Sequence, residues 1–242
     1  MKDFNWVAVF EQRMDEGFVR FNKDGKFEER HRLNKENPWI FNEQLNKGEH
    51  KEDNCPQYQN YFSGPTAPLG FIHSHCHSCW KVVVRPKTVV ELMQLCDLQT
   101  KIKHPAKCGI EVRSFVPALY GGYFYNRSKE AGIACLKMVK REVRKKINPN
   151  MKVMLKRGCT EFEMRFGASD KWVVQTGQIK FEKGFDEVYA KDSVKDTTMP
   201  TYLKSHIKTK WLKWAANHQD MTYKEFTNGV SLIGEPDYVE YK

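Results

Sequence analysis

The sequence has no long apolar run and no leader-like N-terminus. None of its 242 residues belongs to a stretch near the roughly 18 apolar residues of a membrane span. The first apolar run is short, Trp6–Phe10, and acidic residues follow it at once, unlike a secretory signal. We therefore expect an intracellular, cytoplasmic protein without a membrane partner.

The sequence also has no internal repeat and no even set of cysteines. Seven cysteines, an odd number, in a chain without a secretory signal favour thiols and metal ligands over a disulfide framework. Hydrophobic residues make up 40% of the chain and aromatic residues 13%, which excludes a disordered protein. The length allows one large domain or two small ones.

The net charge of +10 is concentrated in one third of the chain. Residues 80–160 carry 18 basic and five acidic side chains, whereas the segments on either side are close to neutral or slightly acidic. A local excess of this kind attracts a polyanion or an acidic substrate. The alternative is a solvated basic face that keeps the protein in solution.

The pattern predicts an α+β fold with a ferredoxin-like split βαβ core over about 80–156. Apolar runs and turn residues give the order β-α-β-β-α-β, which we assign as Trp80–Arg85, Thr88–Lys103, Ile110–Phe115, Leu119–Tyr125, Ser128–Ile147 and Lys152–Lys156. Thr88 and Ser128 are the predicted helix caps.

The flanking regions extend this core. Residues 1–79 are predicted to form an N-terminal β region packed on the core, with a hairpin of Phe18–Phe21 and Lys26–Glu29 and a polar loop or lid over 34–68. The basic core spans 80–160. Residues 161–242 are predicted to add strands near Trp172–Gln175 and Gln178–Phe181 and an amphipathic helix that carries Leu203, Ile207, Trp211 and Trp214 on one face. We expect one continuous globular unit.

The segment His73–Cys79 is the densest group of possible metal ligands. It holds the alternates His73, His75 and His77 and the pair Cys76 and Cys79. A Cys-x-x-Cys pair can reach one metal from a single turn. Cys96 and Cys108 follow at spacings that, on the predicted fold, bring them towards the same end of the sheet. The sequence therefore predicts a site of Cys76, Cys79, Cys96 and Cys108.

The metal stays open between a zinc ion and a 4Fe-4S cluster. Single cysteines after one Cys-x-x-Cys suit a cluster, whereas the histidines suit zinc. In the alternative without metal, Cys96 is a core residue and the histidine-rich run is a polar loop.

A second candidate site follows the last core strand. Lys156 and Arg157 precede Cys159 in sequence, and two cations beside a thiol favour a reactive thiolate, with Glu161 or Glu163 as an acid/base partner. In the alternative, Cys159 lies in a turn and Phe162, Met164 and Phe166 alternate on a strand.

A basic stripe marks the second core helix. Its members recur at helical spacing: Lys137, Lys140, Arg141, Arg144 and Lys145. Such a stripe fits a phosphate backbone of RNA or DNA. The tyrosines of Tyr120–Tyr125 either stack on bases or pack in the sheet.

Three functions remain open. The first is a metal-binding protein that binds or processes nucleic acid through its basic surface. The second is a zinc-dependent or iron–sulfur enzyme that acts on an anionic small molecule. The third is an interaction subunit of a larger assembly, with Trp211 and Trp214 at the interface. Nothing in the sequence fixes the oligomeric state.

Overall fold

The computed structural model describes residues 19–21, 27–29, 38–42, 71–189 and 199–234; within 19–21, 27–29 and 185–189 it describes the backbone alone. These residues form a mixed α/β protein around a five-stranded antiparallel sheet. Its strands, with those of a separate hairpin, are β1 Val19–Phe21, β2 Phe27–Glu29, β3 Trp39–Phe41, β4 Trp80–Arg85, β5 Ala106–Ile110, β6 Tyr120–Asn126 and β7 Lys152–Arg157. The helices are α1 Ser74–His77, α2 Val89–Ile102, α3 Lys129–Lys146, α4 Thr160–Phe166, α5 Gln178–Tyr189 and α6 Thr201–Asn217, with 3-10 turns at Ser169–Lys171 and Met221–Phe226.

The predicted N-terminal hairpin pairing is confirmed. Strand β1 runs antiparallel to β2, with Val19 opposite Glu29 and Phe21 opposite Phe27. The turn between them and the apolar run Trp6–Phe10 lie outside the described residues.

The large sheet has the strand order β3-β5-β6-β4-β7, and every neighbouring pair is antiparallel. Helix α2 connects β4 to β5, and helix α3 connects β6 to β7. Strand β6 lies between β4 and β5, so neither helix joins two neighbouring strands.

One face of this sheet forms the main hydrophobic core. Side chains of a strand alternate between faces, and β4 buries Val82 and Val84 towards the helices. On β6 the corresponding residues are Tyr120 and Phe124, both fully buried. The opposite face carries Lys81 and its neighbours and is described below.

The two predicted core helices are confirmed, and so are their caps. The Thr88 hydroxyl accepts the Glu91 backbone N–H, and the Ser128 hydroxyl accepts that of Ala131. These bonds satisfy amides that have no partner within the helix. Asp220 makes a second hydrogen bond at the start of α2, where its carboxylate accepts the Val89 N–H at 2.6 Å.

The predicted second core strand is shifted towards the N-terminus. We expected Ile110–Phe115, but β5 is Ala106–Ile110, and residues 111–119 are not a strand. Gly109 is part of the strand because its lack of a side chain lets the Pro38 carbonyl approach; a Cβ there would overlap that oxygen. The edge strand that makes this approach, β3, lies inside the predicted loop of 34–68, so that prediction was wrong for Trp39–Phe41. Residues 43–70 lie outside the described residues.

The C-terminal third is helical where two strands were predicted. Residues 173–176 have no regular structure, and Gln178–Tyr189 form α5. Gln178 and Glu182 are one helical turn apart and both are buried, so a polar pair faces inward at helical spacing. The prediction failed because it searched for apolar side chains at strand spacing.

The predicted amphipathic helix is confirmed as α6. Leu203, Ile207 and Trp211 lie in the core, while Trp214 is partly buried. The Trp211 indole donates to the Pro38 carbonyl at 2.7 Å and so links α6 to the start of β3. In the part of the chain that the structure describes, no helix combines the length and apolar character needed to span a bilayer.

Candidate active site on the polar face of the sheet

The sheet face opposite the helices is polar and aromatic. Residues that are paired across antiparallel strands point to the same side, and Lys81 of β4 lies opposite Tyr125 of β6 and Lys156 of β7. Four residues further along β4, Arg85 lies on the same side. We call this surface the polar face.

At its centre a buried lysine contacts a thiol. The Lys81 ammonium donates to Cys159 Sγ at 2.8 Å, and only 9% of Lys81 is exposed. Burial by itself would lower the pKa of Lys81, but the Cys159 and Cys79 sulfurs and the Tyr125 phenol hold it well above its usual value. Lys81 is therefore an ammonium ion in the resting protein.

The backbone before Cys159 fixes the position of the sulfur. Gly158 has φ +60°, a left-handed conformation, and its N–H donates to the Cys79 carbonyl at 2.8 Å. A Cβ on Gly158 would overlap the Trp172 ring, so glycine is required here for space as well as for conformation. Cys159 is the residue that precedes the first turn of α4. The expectation that Phe162, Met164 and Phe166 alternate on a strand was wrong, since they lie on this helix.

A charge network borders the thiol. Arg113 donates to both carboxylate oxygens of Glu111, at 2.6 and 2.5 Å, and to Glu161 at 2.6 Å. Burial would raise the pKa of Glu111, but the Arg113 hydrogen bonds hold it below its usual value. Burial acts in the same direction on Glu161, and its hydrogen bonds, including the one from Arg113, hold its pKa below the usual value as well. Both carboxylates are therefore ionised at neutral pH.

Lys156 belongs to the same cluster but does not contact the sulfur as the sequence suggested. Its ammonium pairs with Glu163. Burial and the nearby charge of Lys81 lower the pKa of Lys156. Arg157 points elsewhere, donating to the carbonyls of His77 and Ser169. The cation beside the thiol is Lys81, 78 residues away in sequence.

The side-chain contacts of Arg85, on the same face, are long. Its guanidinium donates to the Tyr123 hydroxyl at 3.3 Å and lies 3.9 Å from Glu111. Next to it, Tyr123 and Trp39 have ring centroids 5.6 Å apart, and the Lys107 ammonium lies 4.9 Å from the Trp39 ring centroid. This half of the face combines aromatic surface with positive charge.

The charges of the cluster are nearly balanced. The cations are Lys81, Arg85, Arg113 and Lys156, and the carboxylates are Glu111, Glu161 and Glu163. One positive charge is left over, which a thiolate at Cys159 would balance, and Lys107 adds a further cation. The site therefore favours an anionic molecule over a cationic one.

The segment His73–Cys79 lies beside this site and is held by α5. Ser74 donates its N–H to Glu182 at 2.8 Å and its hydroxyl to the same carboxylate. His73 is 1% exposed, and its Nδ1 accepts the His75 N–H at 3.2 Å. Burial lowers the pKa of His77. Cys76 is buried and Cys79 is half-buried.

The four predicted cysteine ligands lie in two pairs. Cys96 of α2 and Cys108 of β5 share a hydrogen bond, which lowers the pKa of Cys96, whereas burial raises that of Cys108. Cys108 pairs with Gly122, which pairs with Val84, five residues beyond Cys79. At about 3.3 Å per residue and about 4.8 Å per strand, the two pairs are roughly 16 Å apart along the sheet and two strands apart across it.

One ion cannot take all four thiols in this arrangement, because zinc–sulfur bonds are only about 2.3 Å long. Within the described ranges, no three histidine, cysteine, aspartate or glutamate side chains are grouped to hold a metal ion. The six cysteines in those ranges are all thiols rather than disulfides. Zinc or cluster binding stays a prediction, and the structure divides the four thiols into a Cys76–Cys79 pair and a Cys96–Cys108 pair.

The basic stripe of α3 lies on the other side of the sheet. Its five side chains are exposed: Lys137, Lys140, Arg141, Arg144 and Lys145. Helix α3 buries Cys135, Val139 and Val143 against the core face. Ile133 of the same helix is 39% exposed. The stripe and the polar face therefore point in opposite directions.

Sequence reasoning missed much of the polar face. It singled out Cys159, Glu161 and Glu163 but not Lys81, Arg85 or Arg113. The signal was available in β4, where Lys81, Val83 and Arg85 alternate with the apolar Val82 and Val84. That alternation is typical of a strand with one polar face. It was missed because Val82–Val84 form a continuous apolar run, which suggested a strand buried on both faces.

We compared the chain with protein-family models, with curated proteins and with solved structures, and none of the three comparisons finds a match. The function must therefore follow from the chemistry of the site.

Proposed function

We propose that this chain is a thiol-dependent enzyme that acts on an anionic substrate. The observation that carries the proposal is the 2.8 Å contact between the buried Lys81 ammonium and Cys159 Sγ. A buried charge needs compensation for its lost hydration, and strongly shifted pKa values such as that of Lys81 cluster at functional sites.

Cys159 would be the nucleophile. Its thiolate would attack an electrophilic carbon of the substrate, and Lys81 would stabilise first the thiolate and then the negative charge that develops on the substrate. Glu161, held by Arg113, and Glu163, held by Lys156, are the nearby carboxylates for proton transfer.

Arg85 would hold the anionic group of the substrate. Its present contacts are 3.3 and 3.9 Å long, so it can turn to a new partner at little cost. The half-buried Trp39 and the adjacent Tyr123 would provide the apolar surface on which the rest of the molecule packs.

Alkylation with two reagents of nearly equal shape tests this proposal. Iodoacetate is anionic and iodoacetamide is neutral; at an ordinary thiolate the neutral reagent has the advantage because like charges repel. At Cys159 we expect the preference to be inverted in favour of iodoacetate. Arg85→Met should lower the ratio of the two rates by about threefold to tenfold, and Lys81→Met should slow both reagents.

The matched control is Lys137→Met, which removes a cation from α3 on the other side of the sheet and should leave the ratio unchanged. Peptide mapping after limited alkylation identifies the labelled cysteine. Preferential labelling of half-buried Cys79, or a ratio at Cys159 that does not respond to Arg85→Met, would count against the proposal.

Nucleic-acid binding is the second candidate function, and the exposure of all five stripe cations favours it. Each phosphate contact makes binding weaker at higher salt, with a slope near 0.9 per contact on duplex DNA. Replacing Lys137, Lys140 and Arg144 with glutamine should flatten that slope by roughly two to three. Replacing Lys208, Lys210 and Lys213 of α6 is the charge-matched control. A slope that falls equally in both variants means that the stripe is not the binding surface.

We also propose that the fold is ferredoxin-like. The connectivity β4-α2-β5-β6-α3-β7 and the order β5-β6-β4-β7 support this assignment, because the split βαβ arrangement inserts one strand between two that a helix connects. Strand β3 would be an added edge strand. The fold hosts many activities and so does not itself decide between the two functions.

A further inference from the structure

We infer that Lys81 and Cys159 form a modification site, in which an oxidant of the peroxide class joins the lysine nitrogen to the cysteine sulfur through one oxygen atom. The resulting N–O–S bridge would switch the thiol off reversibly. The inference uses the same contact as the proposed enzyme, but it requires only the contact and not catalysis.

The first support is the geometry of the pair. Lys81 Nζ lies 2.8 Å from Sγ, which is a separation that one bridging oxygen can span without movement of either backbone. Lys81 is 9% exposed and its ammonium also lies 5.5 Å from the centroid of the Tyr125 ring, so the side chain has little room to turn away.

The second support is the rigidity of both partners. Lys81 is an interior residue of β4, paired on one side with Tyr125 and on the other with Lys156. Cys159 follows Gly158, whose N–H is bonded to the Cys79 carbonyl and whose α-carbon faces the Trp172 ring. A sulfenic acid formed at Cys159 would therefore be held against the amine.

The chemistry balances with two equivalents of hydrogen peroxide. One equivalent transfers an oxygen atom to the Cys159 sulfur, as the thiolate, while the peroxide O–O bond breaks, giving a sulfenic acid and hydroxide. That hydroxide takes a proton from the Lys81 ammonium, leaving water and the neutral amine. The other oxidises the Lys81 amine to a hydroxylamine and water. The hydroxylamine oxygen then attacks the sulfenic sulfur, the S–OH bond breaks, and a third water leaves. Sulfur and nitrogen each lose two electrons, and the two peroxides accept all four.

Cys159 is a better candidate for this oxidation than the other described thiols. Cys76, Cys96, Cys108 and Cys135 are buried, and buried thiols in apolar surroundings react slowly. Cys79 is half-buried, but the hydrogen bond from Lys81 goes to Cys159. Exposure leaves Cys79 and Cys159 as candidates, and the hydrogen bond from Lys81 selects Cys159.

Intact-mass measurement of the full chain before and after hydrogen peroxide tests the inference. We expect a species heavier by one oxygen and lighter by two hydrogens, in which proteolysis finds the Lys81 peptide linked to the Cys159 peptide. A dithiol reductant should restore the original mass. Lys81→Arg and Cys159→Ser should both abolish the linked species, and Lys156→Arg, which alters a neighbouring cation without touching the bridge, should retain it.

Sulfenic or sulfinic acid at Cys159 without the linked peptide, or a link from Cys159 to another lysine, would overturn the inference. The wild-type protein decides the matter even if a variant fails to fold. The outcome is also separable from the proposed function. A linked species with no preference for iodoacetate would support the bridge and contradict the enzyme. A preference for iodoacetate with no linked species would support the enzyme and contradict the bridge.

Discussion

The two faces of one sheet use the same strands for opposite purposes. On the core face, Val82, Val84 and Phe124 are fully buried against helices and contribute stability through apolar contact. On the polar face, the neighbours Lys81 and Tyr123 are also almost fully buried, but they carry charge and hydrogen bonds. Burying charge costs free energy unless every partner is in place. A buried side chain therefore indicates apolar packing on the core face, and a paired charge or hydrogen bond on the polar face.

The largest effect should come from cutting a side chain on the core face. Phe124→Ala should lower the free energy of unfolding by about 3–5 kcal/mol, because it leaves a cavity that the surrounding helices cannot fill. Tyr125→Ala, the next residue on the opposite face, should cost clearly less because that ring is only half-buried. Urea unfolding of both variants measures the contrast. Equal losses would mean that the polar face is packed as a second core.

An intermediate effect should follow from breaking the charge network. Arg113→Met leaves Glu111 buried without its main partner and should cost about 1–3 kcal/mol at neutral pH. Adding Glu111→Gln to that variant should restore part of the loss, since the buried charge is then gone. The exposed Lys140→Met is the control and should change stability by less than about 0.5 kcal/mol.

The same variant makes a prediction about pH. The folded pKa of Glu111 is held below its unfolded value of about 4.3, so the network contributes its stability above that pH. The contribution is lost as the pH falls through the folded pKa. The gap in unfolding free energy between wild type and Arg113→Met should therefore be widest near neutral pH and close in acid. A gap that widens in acid would contradict the assigned sign.

The smallest effect on stability should come from Gly167, one of two glycines with positive φ that bound helix α4. Gly167→Ala meets open space and should cost about 1 kcal/mol for its backbone conformation alone, whereas Gly158→Ala also meets the Trp172 ring and should cost more, roughly 2–3 kcal/mol. Gly158→Ala should also slow alkylation of Cys159, because it shifts the turn that positions the sulfur. Unchanged alkylation in a folded Gly158→Ala protein would show that this turn does not position the thiol.

Local signals in the sequence predicted the parts of the fold that depend on local structure. The caps at Thr88 and Ser128, the hairpin pairing and the face of α6 follow from nearby residues, and all are present. The boundary of β5 was predicted wrongly because a glycine in a sequence usually suggests the end of a strand. In the fold, Gly109 lies within β5 and allows the close approach of the Pro38 carbonyl. Helix α5 was missed because its inward side carries Gln178 and Glu182.

The candidate site was predictable only in part, for a similar reason. Cys159 and Glu161 were found because cations and acids cluster around them in sequence. Their main partners, Lys81 and Arg113, come from distant strands and loops and meet only when the sheet forms. Spacing alone also suggested that Cys76 and Cys108 converge, but the register of β5, β6 and β4 separates them.

The position of β3 has a consequence for self-association. A sheet edge offers unpaired N–H and C=O groups to any other strand, including one from a second molecule. Strand β3 closes the edge of β5, with Trp39 opposite Gly109 and Phe41 opposite Lys107. At the other end of the described sheet, β7 carries Lys152, Lys156 and Arg157, charges that disfavour edge-to-edge pairing. A chain without Trp39–Phe41 would offer β5 as a bare, weakly charged template, and its first defect in solution would be association that grows with protein concentration.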